Sequence, residues 1–375
     1  MKYLVILGDG MADRPIESLG GRTPLEYAKT PKMDELAAKG EIGMVHTIPD
    51  GMKPGSDTAN LSVLGYNPRE FYSGRSPLEA LSIGVPMKDT DVALRCNIVT
   101  LSEEDRTIID HSSGEISTEE CAVLLEAVKK ELETDIFHFY VGTSYRHCLI
   151  WENGEVVDLV QPHDVLGQKI GDKLPENEAL RTMMKKSYDI LVNHPINIER
   201  KKKGLNPANS CWFWGAGTKP ALYPFTERTH KKGAMISAVD LLKGIAVGTS
   251  MKVITVDGAN GGLDTNYEGK ANAALDVLTK DGYDFVYVHL EGPDEMGHQG
   301  SVEKKVKAIE RLDERIIRPI AEGLAEAGED FRMVVLPDHP TPISLRTHTA
   351  DNVPYLLYDS TAERSESWHY NEREA

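Results

Sequence analysis

Five apolar runs, Tyr3–Leu7, Lys252–Val256, Phe285–Leu290, Met333–Leu336 and Pro354–Tyr358, constrain this chain more than any other feature. They are short, and their apolar residues are mostly consecutive rather than alternating, as in strands buried on both faces. Such strands need cover above and below, and helical patterns lie between them to supply it. The clearest is Ser301–Ala327, where Val302, Val306, Ile309, Ile316, Ile320 and Leu324 recur at helical spacing, with Pro319 placed to kink or divide the run. Strands alternating with helices predict an α/β fold: a mostly parallel sheet with helices on both faces.

A length of 375 residues calls for one large or two moderate domains. The sheet-forming runs sit in the first tenth and last third, leaving a centre of different texture. That centre has its own strands, Phe137–Val141 and His147–Trp151, its own helix at Thr118–Leu132, and the basic run ERKKKG at 199–204, which reads as a solvated linker face. The predicted organisation is a discontinuous domain of residues 1–90 and 209–375 carrying a smaller α/β domain, 91–208, inserted within it.

The acids fall at the ends of the strands. Asp9 follows YLVILG, Asp294 follows VYVHLEGP, and Asp338 with His339 follows MVVLP. In an open parallel sheet, ligands bind outside the carboxyl ends of the strands, so three strands deliver these groups to one edge. His298 lies four residues after Asp294, one helical turn away. On its own the pair reads first as a capped helix start, with Pro293 in the first turn, and only secondarily as a metal half-site, a choice left to other parts of the chain. RTHTADNVP adds His348 just before the last apolar run. Three carboxylates and three imidazoles form an oxygen and nitrogen donor set suited to Mn, Zn or Co, and numerous enough for two divalent ions. Glu295, between the two ligands of the helical pair, is expected to be solvated. His46, His138, His194 and His369 are read as ordinary surface or core histidines.

KPGSDTANLSVLGYNP, residues 53–68, places Gly55 before Ser56 at what looks like a helix start, where first-turn amides can hold an anion. Serine is a poor nucleophile until a base or metal lowers its pKa. On its own, Ser56 would be no more than a helix cap.

Charge and cysteine content narrow the partners. With 42 Lys and Arg against 59 Asp and Glu, the formal charge of -17 argues against nucleic acid or an anionic membrane as the main partner. An acidic chain that handles an anionic substrate must concentrate positive charge locally, and bound metal ions do so. Cys96, Cys121, Cys148 and Cys211 form no CxxC pair and read as thiols of a reducing compartment. MKYLVILGDG is too short in its apolar part for a secretory signal, and no stretch reaches the ~20 apolar residues of a membrane span, so a cytoplasmic location is expected.

Taken in order, GDGMAD, PGSDTANLSVLGYNP, GRSPLEALSIG, SYRH, WFWGAGTKP, GAMISAVDLLKGI, HLEGPDEMGH and PDHPTPISLRTHTADNVP resemble the archaeal-type, cofactor-independent phosphoglycerate mutases of the alkaline phosphatase superfamily. The resemblance spans nearly the whole chain. It implies an alkaline-phosphatase-like sheet with an inserted domain that covers the substrate, and a glycolytic and gluconeogenic isomerase interconverting 3-phosphoglycerate and 2-phosphoglycerate without 2,3-bisphosphoglycerate. It implies two divalent ions, Mn first with Zn, Co or Mg as alternatives: one held by Asp294, His298 and His348, the other by Asp9, Ser56, Asp338 and His339. Ser56 would carry the phosphoryl group as a phosphoserine. Basic groups must grip the small phosphorylated substrate, and the candidates are Arg75, Arg95, Arg146, His147, Lys219 and Lys270. A homo-oligomer is possible. The rival readings are a homoserine kinase-like phosphotransferase and a metal-dependent phosphatase or sulfatase on the same fold. A binding protein without activity is a further one, and the intact set of seven ligands argues against it.

Overall fold

The computed structural model describes residues 1–375, which divide into two compact units: Met1–Tyr72 with Leu222–Ala375, and Ser73–Ala221. The first unit is built on a seven-stranded sheet in the order Glu41–Val45, Val353–Asp359, Phe331–Leu336, Lys2–Gly8, Phe285–Leu290, Gly233–Ile236, Lys252–Ile254. The last five are mutually parallel, whereas Val353–Asp359 runs antiparallel to both its neighbours. All five apolar runs are strands, although the run from Lys252 pairs only as far as Ile254. Two strands lacked a sequence signal. Glu41–Val45 is an edge strand with no fully buried residue, and Gly233–Ile236 is only four residues long.

The core is apolar side chains from the central strands, among them Leu4, Ile6, Val286, Val288, Met333 and Val335. They pack with Ile309, Leu312, Ile316, Ile317 and Ile320 from the long helical segment. Each such side chain, fully buried, contributes roughly 1.5–3 kcal/mol, which is why the periodic positions of that segment dictate its orientation. The segment is divided, as Pro319 predicted, and the division has a specific form. An α-helix over Val302–Leu312 passes into a π-turn at Asp313–Ile317 and then a second helix at Arg318–Glu326. Pro319 has no N–H, and its ring crowds the carbonyl four residues back. The wider turn before it relieves that conflict. It also aims the buried Asp313 carboxylate at the amides of Lys32 (3.1 Å) and Met33 (2.6 Å), capping the Pro31–Ala38 helix.

The second unit centres on the strand Val92–Leu101, which pairs antiparallel with Ile108–Asp110, Arg146–Trp151 and Ser210–Thr218, with Phe137–Thr143 alongside Arg146–Trp151. Helices Thr118–Leu132 and Glu178–Leu191 cover it, burying Leu124, Leu125, Val128, Leu180 and Met184. This unit is wider than the 91–208 read from texture. Ala80 of the Arg75–Ser82 helix, with Val85 and Met87, packs on Ala93, Cys148 and Ile150, tying the preceding residues to this core. The basic run also differs from a solvated linker. It ends a helix, Pro195–Lys202, and Arg200 is buried, donating to Glu120, the Ser113 carbonyl and the Asn206 carbonyl. Lys201, Lys202 and Lys203 do face solvent. All four cysteines are free and buried. No helix is long and apolar enough to cross a membrane.

Candidate metal centre

Lys2–Gly8 ends at Asp9, Phe285–Leu290 runs into the helix Gly292–His298 that carries Asp294 and His298, and Phe331–Leu336 is followed by Asp338 and His339. The three strands are parallel neighbours, so their carboxyl ends bring these acids to one edge of the sheet.

Two clusters result, each with its ligand atoms within 4.8 Å of one another: Asp294, His298 and His348, and Asp9, Asp338 and His339. In the first, His298 Nε2 lies 3.0 Å from His348 Nε2 and 3.2 Å from Asp294 Oδ2, and His348 Nε2 lies 3.4 Å from Asp294 Oδ1. His298 Nδ1 points away to the Arg346 carbonyl at 2.9 Å, which fixes the ring with Nε2 inward. In the second, His339 Nε2 is 3.4 Å from Asp338 Oδ2 and 3.6 Å from Asp9 Oδ1. Ser56 joins this cluster. Its hydroxyl is 3.1 Å from His339 Nε2 and 3.5 Å from Asp9 Oδ2, at the first residue of the helix Ser56–Leu64.

The donors fit a cation. Asp9 Oδ1 is fully buried and has no hydrogen-bond partner, which is costly for a carboxylate unless a positive charge meets it. Burial, followed by the nearby carboxylates of Asp338, Asp294 and Glu291, holds Asp9 well above the usual carboxylate range. So much negative charge at one place calls for compensation. At Asp294 burial acts upward, but hydrogen bonds from His298 and His348 outweigh it and hold the group well below the usual value. The same bond, against some burial, raises His298 to about 9. His339 is lowered, by burial first.

Glycine at two positions makes this geometry possible. Gly10 has φ +60°, and a Cβ there would stand 2.6 Å from Asp294 Oδ1 and 2.5 Å from Thr341 Oγ1, while its amide donates to Asp338 Oδ1 at 3.1 Å. A Cβ on Gly297 would stand 2.6 Å from the Thr341 carbonyl. Gly55, before Ser56, has a φ of -179°, extended backbone open to any residue, although a Cβ there would stand 2.7 Å from Asp57 Oδ1. Glu295 is exposed and accepts from Gln299, as expected of a solvated residue.

The six substrate-binding candidates divide. Arg95, mostly buried, has Nε 2.9 Å from Glu79 Oε2 and its guanidinium 4.8 Å from the Trp214 ring; Arg75 takes the other oxygen of Glu79 at 2.9 Å. Burial is the main influence lowering Arg95, and the charges of Arg75 and Arg146 add to it, so three guanidiniums share one neighbourhood. Lys219 pairs with Asp89 at the surface. His147 is not placed to bind a substrate: it is 3% exposed, Nδ1 accepts from the Gly142 amide at 3.0 Å, and Nε2 meets Cys121 Sγ at 3.1 Å. Burial lowers it to about 4, so it is a neutral core residue. Lys270 is 1% exposed, donates to the His289 carbonyl at 3.0 Å, and is lowered to about 8 by burial. It fastens the helix Tyr267–Thr279 to the Phe285–Leu290 strand.

Sequence reading missed the residues behind the ligands. Asn60 donates to Asp338 Oδ2 at 3.0 Å and to the Ser56 carbonyl at 2.8 Å. His289, fully buried, has Nε2 2.8 Å from Asp9 Oδ2 and Nδ1 3.1 Å from Ser237 Oγ, and burial lowers it to about 3. A histidine inside the run FVYVHL was the available signal, since a polar ring in a doubly buried strand must have partners.

The arrangement is a serine hydroxyl beside six side chains of the kind that can hold metal ions. Residues 37–197 match the family model described as 2,3-bisphosphoglycerate-independent phosphoglycerate mutase. The chain is 51% identical over 372 residues to the protein of that name from Methanosarcina barkeri, covering 98% of this chain and 92% of the relative. It is 48% identical to a protein from Geobacter sulfurreducens named as probably the same enzyme, covering 100% and 95%. Among solved structures, a protein from Pyrococcus horikoshii superposes with TM-score 0.83 at 33% identity, covering 100% of this chain and 91% of that one. A cofactor-independent phosphoglycerate mutase from Thermoplasma acidophilum gives 0.67 at 27%, covering 99% and 94%.

Proposed function

The chain belongs to the 2,3-bisphosphoglycerate-independent phosphoglycerate mutases and interconverts 3-phosphoglycerate and 2-phosphoglycerate, and from that premise we propose that Ser56 carries the phosphoryl group between the two positions. The family works without 2,3-bisphosphoglycerate, so the transferred group needs a resting place on the protein. The observation that carries the proposal is the setting of the Ser56 hydroxyl, within 3.5 Å of both Asp9 and His339 and at a helix start.

In this reading Asp294, His298 and His348 hold one divalent ion, and Asp9, Ser56, Asp338 and His339 hold a second, with Mn preferred and Zn, Co or Mg as alternatives. Such ions supply a lowered hydroxyl pKa and compensation for the charge that spreads over the phosphoryl oxygens. Ser56 Oγ gives up its proton and forms a bond to phosphorus as the bond from phosphorus to the 3-oxygen breaks, and the departing 3-oxygen takes up a proton to leave glycerate. Glycerate stays bound, and its 2-hydroxyl then loses its proton and bonds to phosphorus as the Ser56 Oγ–phosphorus bond breaks and Ser56 regains a proton. The positive end of the Ser56–Leu64 helix favours the phosphoserine while it lasts. Arg75, Arg95 and Arg146 supply bidentate donors for the substrate carboxylate or phosphate. Water must be kept from the phosphoserine for the enzyme to act as a mutase, and the enzyme works in the cytoplasm.

A coupled assay with 3-phosphoglycerate and added Mn or Co tests this reading. It predicts 2-phosphoglycerate with little free phosphate. Predominant phosphate release would indicate a phosphatase instead, and turnover only of homoserine with a nucleotide would indicate a kinase.

A further inference from the structure

Thr341 lies in the segment PDHPTPIS, and nothing in its residue type marks it out. It is fully buried, and its hydroxyl touches both clusters at once. Oγ1 makes a short hydrogen bond to Asp294 Oδ1 and lies 3.3 Å from His339 Nδ1. Asp294 belongs to one ligand cluster and His339 to the other.

The proton count fixes the direction of both bonds. A hydroxyl has one proton, and an ionised carboxylate can only accept. Thr341 therefore donates to Asp294, and its remaining contact must be one in which it accepts, from a proton on His339 Nδ1. A neutral imidazole with its proton on Nδ1 has its lone pair on Nε2, the atom that faces Ser56, Asp338 and Asp9. One hydroxyl thus aims a carboxylate oxygen in one cluster and, as an acceptor beside Nδ1, favours the tautomer of a ring in the other that leaves Nε2 free.

The surrounding chain holds this hydroxyl in place. The Thr341 amide donates to the Ala12 carbonyl at 3.3 Å, and its own carbonyl accepts from buried Lys305 at 2.8 Å. Two glycines clear the space: a Cβ at Gly10 would meet Oγ1 at 2.5 Å, and one at Gly297 would meet the Thr341 carbonyl at 2.6 Å.

We propose that Thr341 is a positioning residue that couples the two metal sites, so that loss of its hydroxyl weakens both. This rests on the ligand assignment proposed above. A residue supporting a single ligand weakens a single site, and a residue that only fills space acts through its methyl group.

Thr341→Val keeps the shape and removes the hydroxyl, whereas Thr341→Ser keeps the hydroxyl and removes the methyl. The full chain, stripped of metal, is titrated calorimetrically with Mn and, for its visible spectrum, with Co. The expected result is affinity lower by about 10–100-fold at both binding events in Thr341→Val, the usual effect of losing an outer-shell hydrogen bond, and Thr341→Ser within a few-fold of the parent. Unchanged binding in Thr341→Val, loss at one event only, or equal loss in both variants overturns the proposal. Should Thr341→Val fail to fold, Thr341→Ala replaces it against Thr341→Ser, since those two differ only in the hydroxyl and the same outcomes decide. Asp294→Asn and His339→Ala separate this from the underlying assignment. If those variants bind two ions as well as the parent does, the ligand assignment fails; if they lose metal while Thr341→Val does not, only the coupling fails.

Discussion

Lys305 offers a quantitative test of how the metal edge is held. Its ammonium is fully buried and makes three bonds, to Asp13 Oδ2 at 2.8 Å, the Thr341 carbonyl at 2.8 Å and the Ala12 carbonyl at 3.3 Å. Lys305→Met keeps most of the stem's volume, so little cavity cost arises and the change isolates the charge. Removing one partner of a buried ion pair costs about 3–5 kcal/mol, because the other charge is left unpaired. Asp13 would still accept from the Arg14 amide at 2.7 Å and the Ile343 amide at 3.1 Å, which places the expected loss near the lower end, at ~3 kcal/mol. A chain of two units need not unfold in one step, so the loss is best read by hydrogen exchange in the Lys2–Gly8 and Phe331–Leu336 strands. The pair Asp13→Asn with Lys305→Met completes a cycle, and its cost should fall well short of the sum of the singles, since neither charge then remains. A loss under ~1 kcal/mol for Lys305→Met, or strict additivity, would refute the reasoning.

Other expectations concern the site itself. His298 sits at about 9 because Asp294 accepts from it, so in the metal-free protein its protonated form contributes stability that is present in full below about 6.5 and lost as pH rises through about 9. Metal must displace that proton, so Mn affinity measured by titration should climb from pH 6 to 9 and then level off, and a flat profile would remove His298 from the ligand set. Gly10→Ala forces a left-handed backbone on a residue with a Cβ, costing ~1–2 kcal/mol before any clash, and should also depress metal content; thermal melts and metal analysis check both. Arg95→Lys keeps the charge but loses the fork, and should raise KM for phosphoglycerate about tenfold or more with metal affinity unchanged.

What the sequence revealed and what it hid have physical causes. An acid directly after a doubly buried strand has only one edge of the sheet to occupy, which is why Asp9, Asp294 and Asp338 could be brought together from spacing alone. The Asp294 and His298 pair obeyed helical spacing, and the helix Gly292–His298 indeed places both on one face. Val353–Asp359 was visible as a strand but not as antiparallel, because direction depends on the connection rather than on local composition. His147 and Lys270 were offered as substrate ligands on charge alone, and burial, which a single position does not announce, removed them. Thr341, Asn60 and Lys305 were invisible for a related reason: each acts through hydrogen bonds that include a partner far away in sequence, and no residue-type pattern encodes such a partner.

The central claim is that Ser56 receives the phosphoryl group. The most direct measurement is peptide mass spectrometry of the Mn-loaded enzyme quenched rapidly after mixing with 3-phosphoglycerate. The account predicts phosphate on Ser56, absent from Ser56→Ala, which should fold normally and turn over no substrate. Phosphate on another residue, or full turnover by Ser56→Ala, would contradict it.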